Sequence, residues 1–160
     1  NQRDKIVLAR GSIPCDILLV GEAPGESENS IGQPFVGPAG KLLDQIIDSA
    51  VPKDVRIAFT NLVACYPKEA KDAGTNEPSG KEIEACQPRL EQFISLARPG
   101  LLVAVGKLAE AWMPATKLPT VAIVHPAHIL RMPLAQQGFA FQRCVVQISN
   151  AVERLDEEQQ

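Results

Sequence analysis

The sequence predicts an α/β fold, a three-layer α/β/α sandwich around a central four-stranded parallel sheet. Short apolar runs typical of strands buried on both faces recur along the chain. Segments with helical spacing of apolar residues lie between them, and strands that alternate with helices pair in parallel through right-handed crossovers. With 160 residues, of which 45% are hydrophobic, the chain can bury one sizeable core. We therefore expect a single domain over residues 1–160, with an acidic tail that frays at about 156–160.

Four apolar runs are the predicted strands: 16–20 (DILLV), 56–63 (RIAFTNLV), 101–105 (LLVAV) and 120–124 (TVAIV). In open α/β sheets, ligands bind beyond the carboxyl ends of the strands, so the residues found there are candidates for a site. Those residues are Gly21 and Glu22 after the first strand, Asn61 in the second, Gly106 and Lys107 after the third, and His125 after the fourth. An acid, an amide and an imidazole are thereby predicted to converge.

Three helices are predicted between and after these strands. Residues 40–49 carry an apolar helical stripe, and residues 79–82 (SGKE) form a capping box that opens a second helix. Pro88 is expected to kink or split that second helix, because proline lacks the backbone N–H. The last helix is predicted from about 138 to 155. The polar, turn-rich segment 68–80 is predicted to be a surface excursion.

Composition narrows the class of protein. The formal charge of −3 and the pI near 5.4 provide no global positive field, which argues mildly against a nucleic-acid partner. No run approaches the roughly 18 apolar residues of a membrane span, and the start NQRDK does not resemble a secretory signal. We expect a cytoplasmic monomer without a membrane partner. In that compartment, Cys15 and Cys144 are predicted to be buried apolar residues rather than disulfide partners.

The glycine-rich segment 21–43 (GEAPGESENSIGQPFVGPAGKLL) follows the first predicted strand. Residues 21–25 lack the Gly-x-Gly-x-x-Gly spacing of dinucleotide folds. Residues 37–42 lack the earlier glycine and the Ser/Thr of a P-loop, because Leu42 stands in the latter place. Phe35, with glycines beside it, suits a flat ligand such as a base stacked on its ring.

Four motifs in order carry a resemblance to a known family: 21–25 (GEAPG), 32–40 (GQPFVGPAG), 60–63 (TNLV) and 125–131 (HPAHILR). From about residue 3 to 131 the chain resembles the uracil-DNA glycosylase superfamily, and within it the family 4, iron–sulfur type. The resemblance implies a monofunctional hydrolase that removes uracil from DNA and leaves an abasic site, as in base excision repair. Its partner would be DNA containing uracil.

The resemblance also implies roles for individual residues. Phe35 matches the residue that stacks on the flipped uracil, and Asn61 matches the amide that reads the edge of the base. His125 matches the histidine that donates a hydrogen bond to uracil O2 as negative charge develops on the departing base. Glu22 matches an acid that positions or activates the attacking water. These groups suit a reaction that builds positive charge on the sugar and negative charge on the base.

Further positions follow from the same resemblance. Gly21 and Ala23 belong to the uracil pocket, and Ala23 stands where other branches carry a catalytic aspartate. Glu28 matches an acid that crowds the C5 position and excludes thymine. The candidate DNA contacts are Ile129 and Leu130 as wedges into the duplex and Arg131, Lys107 and Lys41 as phosphate contacts.

Family 4 holds a [4Fe-4S] cluster with four cysteines, and Cys65 and Cys86 match the later pair. The first pair is expected just before the segment at residues 3–11. Either the sequence is trimmed ahead of Asn1, or this member has lost the cluster. Neither Cys15 nor Cys144 stands where a substitute ligand is expected, and the glycosylase chemistry itself needs no cofactor.

Each candidate residue also has an ordinary explanation when taken alone. Glu22 could be a surface acid, Phe35 a core residue, Asn61 part of an Asx turn, and His125 the cap of a helix. Cys65, Cys86, Ile129 and Leu130 could be plain core residues. Two rival functions remain open: a glycosylase for another modified pyrimidine, and a catalytically silent domain that binds DNA or a partner.

Overall fold

The computed structural model describes residues 5–67 and 77–160. The described strands are β1 Arg10–Gly11, β2 Ile17–Gly21, β3 Ile57–Asn61, β4 Leu101–Val105 and β5 Thr120–Ile123. The described helices are α1 Glu26–Ile31, α2 Pro38–Ala50, α3 Gly80–Ala97, α4 Lys107–Trp112, α5 Pro126–Arg131 and α6 Leu134–Glu158. Residues 68–76, most of the predicted surface excursion, lie outside the described part of the chain.

The sheet has the order β1-β3-β2-β4-β5. Strands β3, β2, β4 and β5 are parallel, which confirms the predicted four-stranded parallel sheet. The structure adds a fifth strand, β1, which pairs antiparallel with β3 at the edge. A strand of two residues is too short to show an alternation of apolar and polar residues, so the sequence did not predict β1.

Alternate residues of the central strands pack on opposite faces of the sheet, which confirms the three-layer arrangement. Ile17 and Leu19 of β2 belong to one core cluster, and Leu18 and Val20 to the other. The first cluster includes residues of α2, α5 and α6: Leu43, Ile46, Ile129, Val145 and Ile148. The second includes residues of α3 and α4: Ile83, Leu90, Ala97 and Ala109. Cys15 joins the second cluster and Cys144 the first, as expected of buried apolar cysteines.

Helix α3 begins where the sequence predicts. Ser79 Oγ accepts a hydrogen bond from the Glu82 N–H at 3.2 Å, and Glu82 Oε1 accepts one from the Ser79 N–H at 2.9 Å. The expected split at Pro88 is wrong, because α3 is one continuous helix. Pro88 and Glu84, whose carbonyl loses its helical partner, are both exposed, so water can hydrate that carbonyl.

Helix α6 is longer at both ends than the predicted 138–155, and its last turn covers part of the tail that was expected to fray. Pro133 is its N-cap, and Gly138 lies inside the helix on the exposed side. The first turn of α6 is not buried against the core, and its Leu134 is 83% exposed. The sequence therefore has no stripe of core-facing apolar residues there from which the start of the helix could be predicted. Among residues 5–67 and 77–160, no helix combines the length and the apolar character that a membrane span requires.

Candidate active site

A cleft of about 1290 Å³ lies at the carboxyl edge of the parallel strands. Its lining includes residues from the loops and short helices that follow β2, β4 and β5, namely Glu22, Ala23, Glu28, Gly106, Lys107, His125 and Arg131. Of the residues expected at the strand ends, Glu22, Gly106, Lys107 and His125 line this cleft, whereas Gly21 and Asn61 are not among its lining residues. Residues of α6 that carried no sequence signal also line it: Gln136, Phe139, Arg143 and Gln147.

Phe35 and Asn61 meet over Gly21. Gly21 pairs with Asn61 at the ends of β2 and β3, and the Asn61 side chain is buried there. A Cβ atom on Gly21 would lie 2.3 Å from Phe35 Cζ and 2.5 Å from Asn61 Oδ1. A side chain at position 21 would therefore collide with both groups. Glycine is the residue that lets the ring and the carboxamide approach the same backbone.

The Phe35 ring packs near two other rings. Its centroid is 5.8 Å from that of Phe59, with the planes tilted by 51°. It is also 6.5 Å from the His125 ring, with the planes 29° apart. Phe35 is only 7% exposed and belongs to a core cluster, so the core-residue explanation is correct as far as burial goes. That packing fixes the ring beside the cleft-lining His125.

His125 is the N-cap of α5, and its Nδ1 accepts a hydrogen bond from the Ala127 N–H at 3.0 Å. The helix-cap explanation of His125 is thus correct. The cap also determines whether Nε2 carries a proton. Because Nδ1 accepts, the neutral imidazole carries its proton on Nε2 and can donate from there. Burial, together with the positive charge of Arg131, lowers the pKa of His125 from 6.5 to about 4. The ring is therefore neutral at physiological pH.

Glu22 lies at the start of α4, where its carboxylate accepts a hydrogen bond from the Leu108 backbone N–H. Burial and the nearby charge of Glu77 raise the pKa of Glu22, while the Leu108 N–H and Arg131 act in the opposite direction. A Cβ atom on Gly106 would lie 2.4 Å from Glu22 Oε1 and 3.2 Å from His125 Cβ. The acid and the imidazole therefore flank the same glycine.

Glu28 connects two parts of the glycine-rich loop. Its Oε1 accepts a hydrogen bond from the Gly25 N–H at 3.2 Å, and its Oε2 accepts one from the Gly37 N–H at 3.0 Å. Both carboxylate oxygens thus accept hydrogen bonds from the loop backbone, and Glu28 also lines the cleft. The contact with Gly25 also caps α1, a short helix that the sequence did not predict.

A family model decides the relationship of this chain to known proteins. The model for the uracil DNA glycosylase superfamily matches residues 9–148. The chain belongs to the uracil DNA glycosylase superfamily. This confirms the resemblance drawn from the four motifs.

Curated relatives in this superfamily are named type-4 uracil-DNA glycosylases. The protein from Saccharolobus solfataricus is 37% identical over 112 residues, which are 69% of this chain and 50% of the relative. That from Sulfurisphaera tokodaii is 39% identical over 107 residues, 66% of this chain and 46% of the relative. That from Archaeoglobus fulgidus is 29% identical over 154 residues, 81% of this chain and 74% of the relative. The chain spans about half the length of the first two.

A solved structure confirms the superfamily fold. The crystal structure of wild-type SMUG2 from Pedobacter heparinus matches with a TM-score of 0.61 and 12% sequence identity. The match covers 90% of this chain and 77% of the SMUG2 chain. At that identity the likeness concerns the fold alone.

The candidate DNA contacts differ in how accessible they are. Lys107 and Arg131 are exposed and line the cleft, whereas Lys41 is exposed on α2 and is absent from the lining. Ile129 is only 1% exposed and packs in a core cluster, so the expectation that it wedges into DNA is wrong. Leu130, 42% exposed, remains as the wedge candidate.

The two cysteines matched to cluster ligands lie near a third residue that the sequence did not single out. Cys65 is exposed and Cys86 is half-buried, and both are close enough to Arg89 for their charges to raise its pKa, although burial lowers that pKa overall. Arg89 Nε is buried and has no hydrogen-bond partner within the described residues. Over residues 5–67 and 77–160 there is no group of three or more potential metal ligands. The described residues therefore supply at most half of a four-thiolate site.

Proposed function

We propose that this chain hydrolyses the N-glycosidic bond of uracil in DNA and leaves an abasic site. The observation that carries the proposal is that the Phe35 ring and the Asn61 carboxamide both approach Gly21, while the Phe35 ring lies 6.5 Å from that of His125, which lines the cleft. A flat ring, a carboxamide and an imidazole N–H complement the face and edges of a pyrimidine. Its membership of the uracil DNA glycosylase superfamily supports the same reaction.

Uracil is recognised through Phe35 and Asn61. The base leaves the DNA stack at a cost of a few kcal/mol and regains stacking on the Phe35 ring, and Leu130 fills the gap left in the duplex. The Asn61 carboxamide donates to uracil O4 and accepts from N3–H. Cytosine carries an amino group and an unprotonated N3 at those two positions, so the carboxamide in this orientation matches neither.

Cleavage is assisted from both sides of the scissile bond. His125 donates from Nε2 to uracil O2, where negative charge develops, and one such fixed donor contributes about 3 kcal/mol to the transition state. Glu22 faces the sugar, where its carboxylate positions the attacking water and opposes the positive charge of the sugar. The Leu108 N–H holds that carboxylate at the start of α4.

Glu28 and Ala23 shape the same pocket in this proposal. Glu28 crowds the C5 position of the base and so disfavours thymine, and its two backbone hydrogen bonds fix the carboxylate for that purpose. Ala23 contributes no catalytic group, which leaves Glu22 as the acid that serves the water.

We further propose that Cys65 and Cys86 are ligands of an iron–sulfur cluster when two more thiolates are supplied. Their shared proximity to a buried arginine supports this, since an unpartnered N–H suits an anionic sulfur centre. In a protein that also supplies the two further thiolates, iron and acid-labile sulfide are expected, reduced in Cys86→Ser and retained in Cys15→Ser. Absence of both elements from protein purified without oxygen would contradict this assignment, and no catalytic step depends on it.

The proposed function is tested with matched oligonucleotides that carry uracil, cytosine, thymine or a 5-modified uracil at one position. Wild-type protein should release free uracil, identified by mass spectrometry, and leave an alkali-labile abasic site. Asn61→Ala should lose most of this activity, while Asn150→Ala, an exposed change on α6, should keep it. Preferential release of a modified base would favour the first rival function. Binding without release of any base would favour the silent domain.

A further inference from the structure

Phe35 has a backbone conformation that needs external support. Its φ angle is 56°, in the left-handed region that residues other than glycine seldom adopt. Such a strained conformation persists only where surrounding contacts over-determine it. The residue that stacks on the base is thus held in a strained position, and the contacts that hold it contribute to the geometry of the pocket.

Arg10, the first residue of the edge strand β1, makes those contacts. Its Nε donates to the Pro34 carbonyl at 2.8 Å, and its Nη2 donates to the Phe35 carbonyl at 3.1 Å. The same Nη2 forms an ion pair with Asp44 of α2 at 2.8 Å. One guanidinium therefore joins the sheet edge, the aromatic loop and a helix.

Arg10 also supports the Phe35 side chain, through the ring of Phe59. Its guanidinium lies 3.9 Å above the centroid of Phe59, and Phe59 packs against the Phe35 ring. A Cβ atom on Gly40 would lie 1.9 Å from the Phe35 carbonyl oxygen. The backbone of α2 therefore lies close to the same peptide group that Arg10 binds, which leaves Phe35 little freedom to shift.

We propose that Arg10 is a positioning residue for the glycosylase reaction, which acts by holding Phe35 in the orientation that stacks on the extruded base. This rests on the proposed function. Arginine is suited to the task because its planar fork can donate to two carbonyls while its face covers an aromatic ring, whereas lysine keeps the charge but cannot do both. A contribution to stability alone would follow from the ion pair with Asp44 and would not depend on Phe35.

A double-mutant cycle separates these roles. Arg10→Lys is expected to lower the single-turnover rate on a uracil oligonucleotide by about tenfold or more, since small misplacements of a substrate-contacting group have effects of that order. In a Phe35→Ala background the same change should alter the rate by less than about twofold, because the group through which Arg10 acts is gone. Equal losses in both backgrounds, or an Arg10→Lys rate within about twofold of wild type, would overturn the proposal.

Arg56→Lys is the matched control. Arg56 forms the other ion pair among the described residues, with Asp16 at 3.2 Å, and is exposed away from the cleft. It should leave the rate unchanged in both backgrounds. Thermal unfolding of every variant identifies any that fails to fold, in which case Asp44→Asn, which removes the ion pair and keeps the two carbonyl bonds, should retain the wild-type rate.

A second readout does not require activity and so distinguishes failure of this inference from failure of the proposed function. With ¹³C-labelled phenylalanine, the Phe35 ring resonances are assigned by their loss in Phe35→Leu. Arg10→Lys should shift them, and Arg56→Lys should not. Unchanged Phe35 resonances in Arg10→Lys would overturn the inference even in an inactive protein. If the wild-type protein is inactive but Arg10→Lys still shifts the Phe35 resonances, only the proposed function is overturned.

Discussion

The two ring nitrogens of His125 face different partners. Nδ1 accepts a hydrogen bond from the Ala127 N–H at the start of α5, which leaves the proton on Nε2 of a residue that lines the cleft. Protonation of the ring would place a cation in a desolvated site beside Arg131, which is why its pKa falls to about 4. Local folding therefore selects both the tautomer and the charge state that the proposed reaction requires.

The depressed pKa of His125 makes stability depend on pH in a defined direction. The unfolded histidine takes up a proton near pH 6.5 and the folded one only near 4, so its stabilising contribution is full above 6.5 and is lost as the pH falls toward 4. The difference in free energy of unfolding between wild type and His125→Gln should therefore decrease between pH 7 and 4.5, as measured by urea unfolding. The matched comparison is His128→Gln, an exposed histidine on the same helix, for which the difference should change far less. A His125 difference that is constant with pH would contradict the assignment.

Asn61 is predicted to determine the choice of base. Asn61→Asp removes the donor that meets uracil O4 and offers an acceptor to the cytosine amino group. An unmatched buried polar group costs about 1–3 kcal/mol, so the single-turnover rate on uracil should fall by about ten- to a hundredfold and the ratio of rates should shift toward cytosine. Asn150→Asp, exposed on α6, is the control. Full uracil activity with no gain on cytosine would remove Asn61 from recognition.

At the scale of elements, the ends of β2 and β3 are joined beyond the sheet. The Leu62 N–H donates to the Gly21 carbonyl at 2.9 Å, and the Val63 N–H donates to the Glu22 carbonyl at 3.3 Å. These bonds keep the strand end that carries Asn61 in register with the one that carries Glu22. Continuous backbone pairing thereby fixes the positions of Asn61 and Glu22 relative to each other.

Arg89 of α3 secures the same strand end from the helical layer. It donates from Nη1 to Thr60 Oγ at 3.0 Å and from Nη2 to the carbonyls of Asn61 at 2.6 Å and Leu62 at 3.3 Å. Arg89→Met should destabilise the protein by about 2 kcal/mol, a melting shift of several degrees, because buried carbonyls lose their donor. It should also slow uracil release, since Asn61 loses support. Arg98→Met, exposed at the end of α3, should change neither; an equal effect from both variants would contradict this role.

At the scale of the whole molecule, two kinds of feature could be predicted from the sequence: elements with a regular spacing of apolar residues, and site residues that directly follow a strand. The four parallel strands, α2 and α3 follow from apolar spacing, and part of the cleft lining, Glu22, Gly106, Lys107 and His125, follows from the residues after the strands. Helices α1, α4 and α5, six residues each, are too short for such a signal. Arg10 and Arg89 were missed because their main partners are backbone carbonyls far away in the sequence. Every residue has such a carbonyl, so the sequence does not show which ones an arginine will bind.

The net charge of −3 means that attraction to DNA must be local. Lys107 lies on the cleft side of the sheet, whereas Lys117 lies before β5 at the opposite edge, and both are exposed. Lys107→Gln should lower the slope of log affinity against log salt concentration by about 1, with similar weakening for DNA with and without uracil. Lys117→Gln should leave the slope unchanged. Titration by fluorescence anisotropy measures both, and equal slopes for wild type and Lys107→Gln would exclude a phosphate contact there.

The most direct test of the central claim is the single-turnover rate of uracil release by wild type and His125→Ala between pH 6 and 9. If neutral His125 donates to the departing base, the wild-type rate should not fall across this range, because no imidazolium is needed. His125→Ala should be slower by about a hundredfold or more, with little change in affinity for uracil-containing DNA. A steep loss of the wild-type rate as the pH rises, or an alanine variant as fast as wild type, would contradict the account.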